Sequence, residues 1–111
     1  MARFEAQDVV MELVRSVRET IARVAKHDRK LADELRRAVQ SVALNLAEGN
    51  RRTGRDRIQA WKVAAGSADE ARTAMQVAEA WGYVGASDVA RGLEMADRVC
   101  AILWRLTHPR R

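Results

Sequence analysis

Leu35-Arg-Arg-Ala-Val-Gln-Ser-Val-Ala-Leu-Asn-Leu-Ala-Glu-Gly49 is the stretch whose reading decides the fold. Leu35, Ala38, Val39, Val42 and Leu46 recur at helical spacing and continue a stripe begun at Leu31, so one side of a helix over about Lys30 to Glu48 is apolar. Ser41, Asn45 and Glu48 fall at i, i+4 and i+7 and share another face. Asn45 stands between Leu44 and Leu46, and a buried asparagine left without partners costs about 1–3 kcal/mol. The polar stripe is therefore expected to fix helix register or cap a neighbouring helix, with a ligand site as the competing reading. Gly49 is expected to stop the helix, because glycine tolerates the left-handed conformation just past a C-terminus, and Gly49–Gly54 reads as a loop.

Working outward, the residues from about Glu5 to His27 predict a first helix. Val10, Leu13, Val14, Val17, Ile21 and Val24 form its apolar face, and Glu19 to Arg23 makes an i,i+4 pair on the other. Asp28 and Arg29 mark the turn that follows. A third helix is predicted over about Asp56 to Trp81. Its many alanines lie on several faces and allow close approach to more than one neighbour. Gly66 within it, at a cost of about 1 kcal/mol against alanine, suggests a close crossing or a slight bend. Gly82 and Gly85 set a third break. Ser87 is the expected N-cap of a fourth helix, with Asp88 in the positive field of its first turn, and Pro109-Arg-Arg reads as a frayed tail. The apolar stripe of that helix runs through Val89, Leu93, Ala96, Val99, Cys100, Leu103 and Leu106. Long helices joined by short connections make sequential neighbours antiparallel, so the expectation is one all-α domain over residues 1–111, an up-down-up-down four-helix bundle.

Composition agrees with that architecture. The only proline is Pro109, so no proline breaks a helix before it. At 111 residues the chain can build one core without disulfides or metal. Its single cysteine, Cys100, lies among apolar residues and reads as a buried structural thiol in a reducing, cytosolic setting. No apolar run approaches the roughly 20 residues that span a membrane, and the opening MARFEAQDVV lacks the apolar core of a signal peptide.

Catalysis finds no residues to work with. His27 and His108 sit at a helix end and in the tail. The residues three before them are Val24 and Arg105, so the Glu-x-x-His pair of di-iron bundles is missing. One cysteine and two peripheral histidines make no zinc set, and no glycine-rich phosphate loop follows a strand. No cofactor or metal is expected, and the chain reads as a non-enzyme.

The net charge is +5 and nearly all the positive charge is arginine, whose planar fork suits bidentate phosphate contacts. A basic balance points to nucleic acid; a genome that prefers arginine codons would give the same count. The densest cluster is Arg51, Arg52, Arg55 and Arg57, crossed only by Asp56. Cations at a helix N-terminus oppose the macrodipole, so structure gives little reason for them there. Anion binding gives a better one, and a solvated loop is the alternative. Trp61, Trp81 and Trp104 could stack on bases, but at helical positions beside apolar residues they read as core or subunit contacts.

The quoted stretch also carries a resemblance. Leu35 to Ala38, then Ser41, then Asn45 to Gly49 are similar to the motif of bacterial four-helix bundle proteins encoded in intervening sequences of large-subunit ribosomal RNA genes. Arg51 or Arg52, Trp61, Ala64, Gly66, Ser67 and Glu70 continue the pattern. That family resembles in turn the accessory variability determinant of diversity-generating retroelements. The resemblance implies a homopentameric assembly and, for the retroelement members, association with a reverse transcriptase and nucleic acid. The family often has a proline where this chain has Ala43, so the kink it would bring to the second helix is in question. Two functions fit: a pentameric nucleic-acid-binding accessory protein, of a reverse transcriptase on the retroelement resemblance, with Arg51, Arg52, Arg55 and Arg57 on its rim, or a protein-interaction scaffold that uses its arginines for solubility and acidic partners.

Overall fold

The first helical limb, expected to be continuous, is divided by one serine. The computed structural model describes residues 3–109, and side chains from Glu5 onward; it gives α1 (Arg3–Ser16) and α2 (Arg18–Ala25) with Val17 between them. The Ser16 hydroxyl donates to the Leu13 carbonyl at 2.8 Å, and the Val17 N–H turns to Val14 O at 3.4 Å. A serine that bonds back to its own helix competes with the backbone ladder and bends it. Arg23, expected to pair with Glu19, instead reaches across to Asp88 at 3.9 Å.

Asp28 is the N-cap of α3 (Arg29–Arg51), its carboxylate accepting the Leu31 N–H at 2.9 Å. α3 runs 23 residues without interruption past Ala43. It also runs past Gly49, which is not the helix stop expected of it: Gly49 is helical and buried. The link to α4 (Gly54–Ala80) is only Arg52 and Thr53, closed by Gly54 at φ +57°, a left-handed conformation that glycine adopts freely. At the far end of α4, Gly82 at φ +78° completes a Schellman closure. The Tyr83 N–H reaches Ala78 O at 3.0 Å and the Gly82 N–H reaches Glu79 O at 2.9 Å. α5 (Ala86–Thr107) begins two residues earlier than an N-cap at Ser87 predicts. Gly85 is its N-cap, and the capping carboxylate is Asp88, which accepts the Gly85 N–H at 2.8 Å. The tail residues Arg110 and Arg111 lie outside the described residues.

The chain is thus an all-α, four-helix bundle whose first helix is broken once. α3 packs on α4, α4 on α5, and α5 returns against α1, while α2 and α1 close onto α3. Leu13, Leu35, Leu46, Met75, Met95 and Leu103 are fully buried along its axis. The bundle is 45 Å long, close to the roughly 40 Å spanned by the 27 residues of α4 at 1.5 Å each. Ala64, Ala68, Ala71 and Ala78 are buried in α4, which contacts both α3 and α5 as its alanine content predicts. Arg72 of α4 ties the last pair together, donating to Asp97 on α5 at 3.0 Å and to Asp69 on its own helix.

Two helical glycines have opposite roles. A Cβ on Gly49 would lie 2.4 Å from the Trp61 indole, whereas a Cβ on Gly66 would meet nothing within 4 Å. Gly66 is therefore not the close crossing its sequence position suggests. Gly66→Ala should stabilise the protein by about 0.5–1 kcal/mol through helix propensity. Gly49→Ala should destabilise it by about 1–3 kcal/mol through overpacking, despite the same propensity gain. Urea unfolding of the two variants checks both signs.

Candidate functional site

The α3–α4 junction gathers nearly every residue singled out from sequence. Arg51 is the last helical residue of α3, Arg52 is its C-cap, and Arg55 and Arg57 lie in the first turn of α4. The expected basic loop is thus mostly helix end. Glu48 is half-buried and accepts from Arg51 Nη2 at 2.9 Å and Arg52 Nε at 2.7 Å. The hydrogen bond from Arg52, then that from Arg51, holds the Glu48 carboxyl below the ordinary carboxylate range. Arg51 and Arg52 still expose 76% and 52% of their side chains, so both forks face solvent and one net positive charge remains on the trio. Arg55 is exposed and enters no ion pair among the described residues.

Arg57 does something else. It is half-buried, and its Nε donates to Gly49 O at 2.9 Å while Nη2 donates to Asn50 O at 3.3 Å. These are carbonyls of the last turn of α3, where intrahelical partners run out. The guanidinium also lies 5.5 Å from the centre of the Trp61 ring. Trp61 itself is 5% exposed and buried within its own chain against Gly49, which removes it from the expected subunit interface. Its Nε1 is buried without a hydrogen-bond partner, as is Asn50 Oδ1. An unmade bond of this kind costs about 1–3 kcal/mol, a cost that the packing of the indole on Gly49 has to offset.

The polar stripe does cross between helices, through Ser41 rather than Asn45. The Ser41 and Ser67 hydroxyls are 2.6 Å apart, joining α3 to α4. Asn45 Nδ2 donates to Ser41 O at 2.9 Å and to Ser41 Oγ at 3.1 Å, so the asparagine orients the serine that makes the contact. Glu48, third in the stripe, serves the arginines.

Trp81 and Trp104 are 69% and 60% exposed. Trp104 stacks on His108 with ring centres 4.4 Å apart. Three further apolar side chains that the sequence does not single out are exposed: Leu44 at 70% on α3, Val63 at 42% on α4 and Met11 at 37% on α1. Leu44 sits off the buried stripe of its helix, and that offset was the available signal. Cys100, expected to be buried, is half-buried; desolvation pushes its thiol up, with Arg72 opposing.

These features define a class: a small basic helical bundle whose distinguishing residues form a helix-hairpin clamp. The profile of the 23S rRNA-intervening sequence protein family matches residues 3–105, and the chain belongs to that family. None of the curated proteins matches it. Among solved structures, a protein of unknown function from the S23 ribosomal protein family of Bacteroides thetaiotaomicron superposes with a TM-score of 0.83 at 13% identity, covering 92% of this chain and 97% of that one. At that identity the likeness is one of fold. Among the described residues no helix is long and apolar enough to cross a membrane.

Arg57 and Arg55 are two residues apart and should behave differently on substitution. Arg57→Gln removes a charged cap from two carbonyls and a cation from the Trp61 face, and should lower stability by about 1–3 kcal/mol. Arg55→Gln should change it by less than about 0.5 kcal/mol. Equal midpoints in urea would contradict the assignment of Arg57 as a cap.

Proposed function

We propose that the protein is a non-enzymatic homopentameric bundle that binds nucleic acid through phosphate contacts, as an accessory factor to a reverse transcriptase. The observation that carries the binding is the exposed cationic rim at the α3–α4 end. Arg51, Arg52 and Arg55 present their side chains to solvent, with only Glu48 and Asp56 among them. Arg57 supports the rim from within rather than contacting the ligand. Planar forks of this kind suit phosphate oxygens. The pentamer and the reverse transcriptase rest on the resemblance to the retroelement accessory proteins. Five copies at +5 each carry +25, which turns a modest rim into a strong field.

Self-association has its own support on the flanks. Leu44 on α3 and Val63 on α4 are apolar and exposed along the sides of the bundle, where neighbouring subunits of a ring would meet, and Trp104 adds an exposed indole on α5. An interaction scaffold without nucleic acid is the alternative, and the same rim would then meet acidic protein surfaces.

Two measurements test the proposal. Light scattering after gel filtration should give about 62 kDa, five times the 12.5 kDa chain; a 12.5 kDa species at micromolar concentration would overturn the assembly. Fluorescence anisotropy with labelled RNA and DNA should show affinity falling with salt at a log–log slope of about −0.9 per contacted phosphate on duplex and about −0.7 on single strands. The triple variant Arg51→Gln, Arg52→Gln, Arg55→Gln should flatten that slope, and weaken binding to unrelated sequences by a similar factor. No binding at low salt, or an unchanged slope, would favour the scaffold.

A further inference from the structure

The opposite end of the bundle is built from the α2–α3 and α4–α5 turns, and it differs in chemistry from the α3–α4 end. Three aromatic rings stack there. His27 and Tyr83 lie with ring centres 5.2 Å apart and planes within 5° of parallel. Tyr83 and Trp81 follow at 6.4 Å and 21°. The Schellman closure at Gly82 fixes the backbone between Trp81 and Tyr83 through the Tyr83 N–H to Ala78 O bond of 3.0 Å. Tyr83 is half-buried, while Trp81 at the end of the ladder is 69% exposed. An indole held in register by its neighbours yet open to solvent is not explained by packing of the core.

Beside His27 stand Lys26, Arg29 and Lys30, all exposed. Most other arginines with fixed partners on this molecule sit by a carboxylate: Arg15 by Glu12, Arg51 and Arg52 by Glu48, Arg72 by Asp69 and Asp97, Arg91 by Glu94. Lys26, Arg29 and Lys30 enter no ion pair among the described residues. The acid between them, Asp28, is engaged in capping Leu31 N–H. Arg29 and Lys30 also occupy the first positions of α3, where the helix field disfavours cations. The helix field thus argues against Arg29 and Lys30, whereas Lys26, at the C-cap of α2, suits it; an anionic ligand gives all three exposed cations a partner.

We propose that this end is a base-stacking platform for single-stranded nucleic acid, with an unpaired base stacking on Trp81 and the flanking phosphates meeting Lys26, Arg29 and Lys30. Flat π-faces beside a cationic track are what sequence-tolerant single-strand binders use. A paired base inside a duplex cannot reach Trp81, so the platform separates single from double strands, which the arginine rim cannot do. The inference rests on the nucleic-acid-binding reading and adds to it the strandedness of the ligand and a second contact.

The test compares wild type, Trp81→Ala, Trp81→Phe and Trp104→Ala by anisotropy, using a labelled single-stranded RNA and a duplex of the same sequence. Gel filtration and circular dichroism of each variant run alongside. Trp81→Ala should weaken single-strand binding at least about fivefold and duplex binding by less than about twofold. Trp81→Phe should restore most of the loss, and Trp104→Ala should leave the single-strand preference intact. An equal loss on both ligands, no loss at all, or a change of oligomeric state in Trp81→Ala would overturn the platform while leaving the rim untouched. Absence of any binding by the wild type would instead remove the functional reading on which it stands.

Discussion

The contact between Gly49 and the Trp61 indole is the constraint on which the α3–α4 half of the molecule depends. The ring occupies the space where a side chain at position 49 would stand, with a would-be Cβ 2.4 Å from Trp61 Cδ1 and Nε1. A two-residue link leaves α3 and α4 little freedom in how they meet, and the indole decides it by bringing the last turn of one helix against the first turns of the other. Arg57 then closes the corner from outside, bonding the Gly49 and Asn50 carbonyls with its guanidinium near the same ring. Further along the hairpin, the register set at the corner allows the Ser41 and Ser67 hydroxyls to meet at 2.6 Å. Glycine, tryptophan, arginine and the serine pair are parts of one clamp, spread over 27 residues of sequence from Ser41 to Ser67.

That clamp explains why the sequence was legible in outline and misleading in places. Helical periodicity depends only on which side of each helix is apolar, so the four limbs and the core residues Leu35, Val42 and Leu46 could be read directly. Gly49 looks like a stop because it is a glycine near a helix end, and only Trp61, twelve positions later, shows what its missing side chain makes room for. Arg57 is close to Arg51, Arg52 and Arg55 in sequence, but the two residues of helix that separate it from Arg55 turn it by about 200°, inward towards α3. Ser16 gave no signal, since a serine that bonds back to Leu13 O has the same composition as one that faces water. Ser87 lost its expected role because the cap is set by a carboxylate at the third position, Asp88, reaching back to Gly85.

The proposed function assigns separate tasks to separate parts of the bundle. Most of the family motif builds the hairpin, and its arginines and Glu70 look outward. Flanks that carry Leu44 and Val63 are suited to contact with further copies. The two ends are the proposed ligand sites: one with guanidinium forks alone, the other with cations beside stacked rings. On that proposal the exposed charge and the exposed aromatics of the chain serve one kind of partner.

The clamp is tested most directly by a double-mutant cycle between positions 49 and 61, measured by urea unfolding. If Gly49 is required because of the indole, replacing Trp61 with leucine opens the space that a methyl group at position 49 needs. Gly49→Ala should then lose its penalty and become neutral or mildly stabilising in the Trp61→Leu background, with a coupling energy of about 1 kcal/mol or more. Strictly additive effects, with the alanine equally costly whether or not the tryptophan is present, would contradict the account.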